Sequence, residues 1–205
     1  MVDDCAAPLF AEALMRHGAA ILTPGETRRF TDRAADGTAG RLRREFVGQS
    51  AAHIAAAVGI ARPYPIRLLI APATFLASDS IYHGEKLAPF LSMFTVTNED
   101  EGMSVCRALL RGAGAGHTAV IHSMNAERVQ RFAREMPAGR ILVNSPGTQG
   151  CCGMTTGLVR SLTLGCGTFG GNSTTDNITY RHLLNVKRVA SHLERPADER
   201  VPAAN

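Results

Sequence analysis

Apolar residues recur at helical spacing near the start of the chain. Leu9, Phe10, Ala13 and Leu14 fall on one face of residues 4–17, and His17-Gly18 supplies a C-terminal stop, which predicts an amphipathic helix. A short apolar step from Ala19 to Leu22 then meets Pro24. Residues 25–45 are charged and weakly periodic, so they read as helix and loop. Ser50 is placed to cap a second helix, Ala51 to Val58, with Gly59 at its left-handed end. Between the prolines at 63 and 65 and the residues beyond, Ile66-Arg67-Leu68-Leu69-Ile70 reads as a buried strand.

From Phe90 the period alternates. Phe90 to Thr97 predicts a strand, and Asn98 caps a helix, Glu99 to Leu110, whose early acids suit its dipole. Thr118 to Ser123 predicts the next strand. Asn125 caps a helix with Val129, Phe132 and Met136 on one face, and Pro137-Ala138-Gly139 stops it before the short strand Arg140 to Val143. Strand, helix, strand, helix, strand implies an α/β fold: an open, mostly parallel sheet with flanking helices and right-handed crossovers. Residues 144–179 break that rhythm with Gly, Ser and Thr, a span of the length that functional loops reach. Tyr180 to Ala190, apolar at Leu183, Leu184, Val186 and Val189, fits either a strand or a short helix. Residues 1–191 read as one region, followed by a polar tail over 192–205.

Composition narrows the class. With 205 residues, 45% hydrophobic and 20% charged, the chain can bury a core, and no apolar run approaches membrane-spanning length. Neither a secretory signal nor a transit peptide is visible in Met1-Val2-Asp3-Asp4-Cys5, so a cytoplasmic location is expected by default. The formal charge of +4 is spread among interleaved acids, aromatics are 5% and Trp is absent, so no nucleic-acid partner is expected. Five cysteines, two of them adjacent at 151 and 152, suggest reduced thiols rather than a disulfide framework. His117 and His122 lack companions at zinc-ligand spacing, and no metal is expected.

Candidate chemistry is sparse. Glu85 precedes a Pro-entered strand, where its carboxylate can accept hydrogen bonds from a ribose diol; the plainer alternative is an exposed acid paired with Lys86. The glycines of Arg111 to Thr118 follow a helix and precede a strand, the reverse of the order a phosphate-cradling loop needs. His117 offers an imidazole for acid/base work or a structural contact. Cys151, Cys152 and Cys166 lie in glycine-rich loops without a visible base, and Cys5 lies within the first helical pattern. Packing roles are expected for all four.

Several ordered blocks carry a family resemblance. Glu85-Lys86-Leu87-Ala88-Pro89-Phe90-Leu91, Gly116-His117-Thr118-Ala119-Val120-Ile121-His122-Ser123, Arg140-Ile141-Leu142-Val143-Asn144-Ser145-Pro146, and Thr163-Leu164-Gly165-Cys166-Gly167-Thr168-Phe169-Gly170-Gly171-Asn172-Ser173 resemble the C-terminal part of CoA-acylating aldehyde dehydrogenases. Asp176-Asn177 and His182-Leu183-Leu184-Asn185-Val186-Lys187 continue it. The resemblance implies an aldehyde dehydrogenase catalytic-domain-like fold and the oxidation of a small aldehyde to acyl-CoA with CoA and NAD(P)+ through a cysteine thioester. It implies that Glu85 binds the nicotinamide-side ribose, that His117 acts as acid/base or positioning group, and that Thr163, Leu164, Gly165 and Gly167 line the substrate pocket. In that family the nucleotide-binding domain and reactive cysteine precede the helix that matches Asp3 to His17. The nucleophile is therefore expected to be absent from this chain, Cys5 is not assigned that role, and the isolated chain is expected to be inactive. Two further readings stand beside this one: a non-catalytic oligomerisation or interaction module, as homo-oligomer or with a dehydrogenase chain, and half of a split enzyme completed by an upstream chain.

Overall fold

The computed structural model describes residues 1–36, 41–73 and 81–193. The elements run β1 (Val2–Asp3), α1 (Ala7–Arg16), β2 (Ala19–Ile21), α2 (Pro24–Ala34), β3 (Ala35–Asp36), β4 (Arg41–Leu42), α3 (Ala51–Ala57), β5 (Leu68–Pro72), β6 (Phe90–Met93), β7 (Thr95–Val96), α4 (Glu99–Ala113), β8 (Gly116–Ile121), α5 (Ala126–Glu135), β9 (Ala138–Val143) and α6 (Gly147–Cys151). Single 3₁₀ turns occur at Arg44–Phe46, Thr168–Gly170 and Tyr180–Leu183. Residues 37–40 of the charged stretch and residues 194–205 of the polar tail lie outside the described residues.

The α/β class and its mostly parallel strands are as expected, yet pairing is divided among small sheets. β2, β5 and β6 form a parallel three-stranded sheet in that order, β8 pairs with β9 in parallel, and β1 pairs with β7 in parallel. β3 and β4 pair antiparallel. The continuous strand expected over 90–97 is two strands serving two sheets. β6 continues the β5 edge, the chain turns at the buried Phe94, whose carbonyl accepts from the Val2 amide at 2.9 Å, and β7 takes β1 as its partner.

Local chemistry explains the helices. Thr23 and Glu26 form a reciprocal capping box at the start of α2, with Pro24 at its first turn, and Phe30 and Ala34 are its buried face. Ser50, Asn98 and Asn125 each accept the third helical amide of α3, α4 and α5. Two apolar cores result. The larger gathers Phe30, Phe46, Ile54, Val58, Leu69 and Phe90 around β2, β5 and β6, with the rings of Phe30 and Phe90 stacked at 4.1 Å. The smaller holds Met103, Ala119, Phe132 and Met136 between α4, α5 and β8.

The amphipathic helix expected over residues 4–17 is α1, although no residue of it is buried and Leu9 and Phe10 are 72% and 45% exposed. Ala13 and Leu14 are half-buried, so periodicity identified the helix but not what covers it. Cys5 precedes α1 and is exposed, so it is not a packing residue. The stretch after residue 179 is a 3₁₀ turn and then an exposed segment without regular structure to residue 193.

Candidate functional site

The β8–β9 pair is the scaffold to which the glycine-rich segment, expected to line a substrate pocket, is attached. Parallel register sets Thr118 opposite Arg140. The Arg140 side chain is buried and donates to Thr118 Oγ1 at 3.2 Å, to the Thr175 carbonyl at 2.7 Å and to the Gly165 carbonyl at 2.7 Å. A buried guanidinium is costly unless its donors are satisfied. Here the satisfying atoms are backbone carbonyls of the glycine-rich segment, so the same contacts that solvate the charge fasten that segment to the strands.

The segment itself is a narrow loop folded back on itself. Gly165 and Gly167 amides donate to the Asp176 and Thr174 carbonyls, both at 2.9 Å, and the Ile178 amide donates to Thr163 at 2.9 Å. Leu164 and Asn177 form an antiparallel bridge between the two arms. Glycine is required where the arms touch. A Cβ at Gly165 would collide with the Thr174 carbonyl, and Gly167, at φ +61°, would place one 2.5 Å from Thr175 Cγ2. Gly116, at φ +79°, leaves room for the Cys166 carbonyl, which brings the loop onto the first residues of β8.

Side chains complete the anchoring. Asn177 is buried and donates through Nδ2 to the Cys151 carbonyl at 2.8 Å and the Val159 carbonyl at 2.6 Å. Asn172 Oδ1 accepts from both the Cys166 amide at 3.2 Å and its thiol at 3.0 Å. At the other end of the strands, Asn144, at φ +51°, accepts from the Ser123 amide and donates to its carbonyl. Leu162 and Phe169 project from the loop into solvent, at 89% and 70% exposed.

Of the residues singled out in sequence, His117 is exposed at the start of β8, beside Gly116 and so close to the loop that holds Gly165 and Gly167. Thr163 is exposed and Leu164 half-buried on the same loop, while Gly165 and Gly167 are buried. Glu85 stands apart on the connection between β5 and β6, exposed to solvent. Its expected pairing with Lys86 is not made. Lys86 turns to the Tyr82 carbonyl and Ser92 Oγ, both at 3.0 Å, and burial brings its amine down to about 8.

The thiols show no activated nucleophile. The Asp3 carboxylate, by hydrogen bond and charge, pushes the Cys5 thiol up; burial pushes Cys106 up, and burial with the neighbouring Cys152 does the same for Cys151. Cys152 and Cys166 are buried, as packing roles require. Sequence reading missed Arg140, Asn172 and Asn177 as the fasteners of the loop. Their signal is a polar side chain within or beside a glycine-rich run, which has no fixed spacing to its targets.

Comparison with known proteins gives the setting. No family model matches the chain. Two solved structures superpose over nearly all of it: an acetylating aldehyde dehydrogenase from Geobacillus thermoglucosidasius, with TM-score 0.87 and 34% identity over 95% of this chain and 43% of that one; and a probable aldehyde dehydrogenase from Listeria monocytogenes, with TM-score 0.88 and 36% identity over 97% and 44%. The fold is thus that of an aldehyde dehydrogenase region. More particularly, the chain is a homologue of acylating aldehyde dehydrogenases and corresponds to a part of them. An aldehyde-alcohol dehydrogenase of Clostridium acetobutylicum is 38% identical over 168 residues, 80% of this chain and 20% of its own length. An acylating sulfoacetaldehyde dehydrogenase of Cupriavidus necator is 34% identical over 209 aligned residues, 98% of this chain and 40% of its own. The chain spans between a fifth and two fifths of the length of these two relatives.

Proposed function

We propose that this chain contributes a pocket wall to an enzyme that oxidises a small aldehyde to acyl-CoA with CoA and NAD(P)+, and that alone it does not turn over. The observation that carries the reading is the Arg140-fastened glycine loop, which lies within a region homologous to acylating dehydrogenases. A wall of backbone lets a substrate approach closely and offers amides and carbonyls fixed in place, which is what positioning an aldehyde requires. In this reading Thr163, Leu164, Gly165 and Gly167 line the pocket, and His117 acts at its rim as acid/base or positioning group.

The residues fit a nicotinamide cofactor at one end only. Exposed Glu85 can accept from ribose hydroxyls, but the glycine turn at 112–116 runs from α4 into β8, the wrong order for a pyrophosphate cradle. Hydride acceptance and CoA binding therefore belong to polypeptide outside the matched region. The five thiols here are exposed without a base, raised or buried, which supports the absence of a nucleophile.

The test is direct. Purified chain incubated with a short aldehyde, CoA and NAD+ should give no CoA-dependent NADH, and incubation with an acyl-CoA should leave all five cysteines free of acyl thioester. Turnover, or one trapped thioester, overturns the inactivity.

A second reading is favoured by the exposed apolar residues Leu183, Val189 and Leu193, which are 84%, 92% and 83% exposed on a segment without regular structure. Such a segment serves an interaction module, in a homo-oligomer or against a dehydrogenase chain that also completes a split enzyme. A clean monomer that fails to co-purify with a dehydrogenase chain counts against it.

A further inference from the structure

Outside the pocket wall, the structure brings two nucleophilic side chains together at the end of α6. Cys151 Sγ and Cys152 Sγ stand 4.0 Å apart, and the Cys151 thiol also contacts the Thr148 carbonyl at 3.2 Å. Cys152 is buried and Cys151 half-buried, so the pair is reached from one side.

A direct disulfide between them is disfavoured by the backbone. Adjacent Cα atoms across a trans peptide lie about 3.8 Å apart, short of the roughly 4.4–6.8 Å span of ordinary disulfides. The carbonyls on either side are also committed. Cys151 O accepts from Asn177 Nδ2 at 2.8 Å, and Cys152 O accepts from the Ser161 amide at 3.2 Å. Twisting the intervening peptide to join the sulfurs would break one of these.

A single atom inserted between the sulfurs meets neither obstacle. A pyramidal thiolate centre with bonds of about 2.3 Å and angles near a right angle needs its sulfurs about 3.3 Å apart, within reach of a small side-chain rotation from the 4.0 Å found here. Zinc wants four ligands, and among the described residues the one grouping of three or more His, Cys, Asp or Glu at ligating distance is Asp3, Asp4 and Cys5. The occupant must be satisfied by two sulfurs.

We propose that Cys151 and Cys152 form a two-sulfur site for a trivalent arsenic centre carrying one organic group. In the step, an arsenic(III) oxide R–As=O meets two S–H groups. Two As–S bonds form, the arsenic–oxygen bond breaks, and the oxygen leaves as water with both thiol protons. No electrons are transferred. Burial and the adjacent thiol hold Cys151 protonated, which slows capture by reagents that need a single thiolate and leaves the chelate as the favoured product. The adduct would sit one hydrogen bond from Asn177, and so next to the Leu164–Asn177 bridge.

Phenylarsine oxide added in equal amount to the full chain, without denaturant, tests this by intact mass and by digesting the adduct to find the peptide that carries it. One adduct is expected, with loss of water, mapped to Cys151 and Cys152, surviving a monothiol and removed by ethanedithiol. Cys151→Ser should weaken capture about a hundredfold, the scale on which a second tethered ligand acts. Cys152→Ala should do the same, and exposed Cys5→Ser should change nothing. The proposal is overturned if no adduct forms on the unaltered chain, if the adduct maps elsewhere, or if Cys151→Ser binds the arsenical as tightly as before.

Discussion

The two halves of this molecule are held together by opposite means. Around β2, β5 and β6 the interior is dry: Phe30, Phe90, Ile54 and Leu69 are fully buried, and stacked rings lie at its centre. Around β8 and β9 the core is smaller, Met103, Ala119, Phe132 and Met136 with half-buried Leu110, Ile121 and Ile141 against them, and polar contacts add to it. α4 and α5 are tied by Arg107 to Glu135, by Arg128 to Glu99, and by Arg131 to Glu99 and Asp100, while Arg131 also pairs with Glu135 within α5. The glycine loop hangs on Arg140 and Asn177. A surface made of glycine backbone has no side chains to bury, so it can be fixed only through its carbonyls and amides. That is the cost of building a pocket wall from main chain.

This contrast can be broken from either side. The largest effect is expected from Phe30→Ala, which empties the dry half and should cost about 4 kcal/mol in chemical denaturation. Arg140→Met comes next, at about 3 kcal/mol, because it leaves the Thr175 and Gly165 carbonyls without their donor. Hydrogen exchange should then quicken at residues 163–178 while residues 19–36 keep their protection. Equal loosening of both would contradict the division.

A smaller and pH-dependent effect is expected within the dry half, where a half-buried ion pair joins Glu26 to Arg62 at 2.8 Å. The hydrogen bonds from Arg62 bring Glu26 down to about 2 from an ordinary 4.5. A depressed carboxylate stabilises the fold above its unfolded value. That contribution is present above pH 4.5 and is lost as pH falls towards 2. Glu26→Gln keeps an acceptor for the α2 cap but should remove about 2 kcal/mol at neutral pH and flatten this acid limb. A retained acid limb would assign it to another group. The smallest effect belongs to Arg128→Ala in the polar half, below about 1 kcal/mol and shrinking with added salt, since this pair is partly exposed.

The sequence was legible where a signal and its consequence are neighbours. Ser50, Asn98 and Asn125 cap helices three residues away, and the alternation from Phe90 to Val143 foretold parallel strands with helices between. It was illegible where partners are remote. The turn at Phe94 that sends β7 to another sheet depends on Val2, and Arg140 finds its carbonyls at Gly165 and Thr175. Lys86 adjoins Glu85 in sequence, yet its amine is drawn to Tyr82 and Ser92 because the fold puts them closer. Family motifs named Glu85, His117 and the glycine loop together. The structure puts the last two side by side and Glu85 on a different connection.

The partnership of β1 with β7 carries a consequence for biosynthesis. Val2 and Asp3 leave the ribosome long before Thr95 and Val96, so the earlier strand must wait, unzipped, while the whole first core assembles. A slow codon tract after residue 96 would give that closure time, whereas a stall ahead of it would leave a nascent edge open to the neighbouring chain on the same messenger.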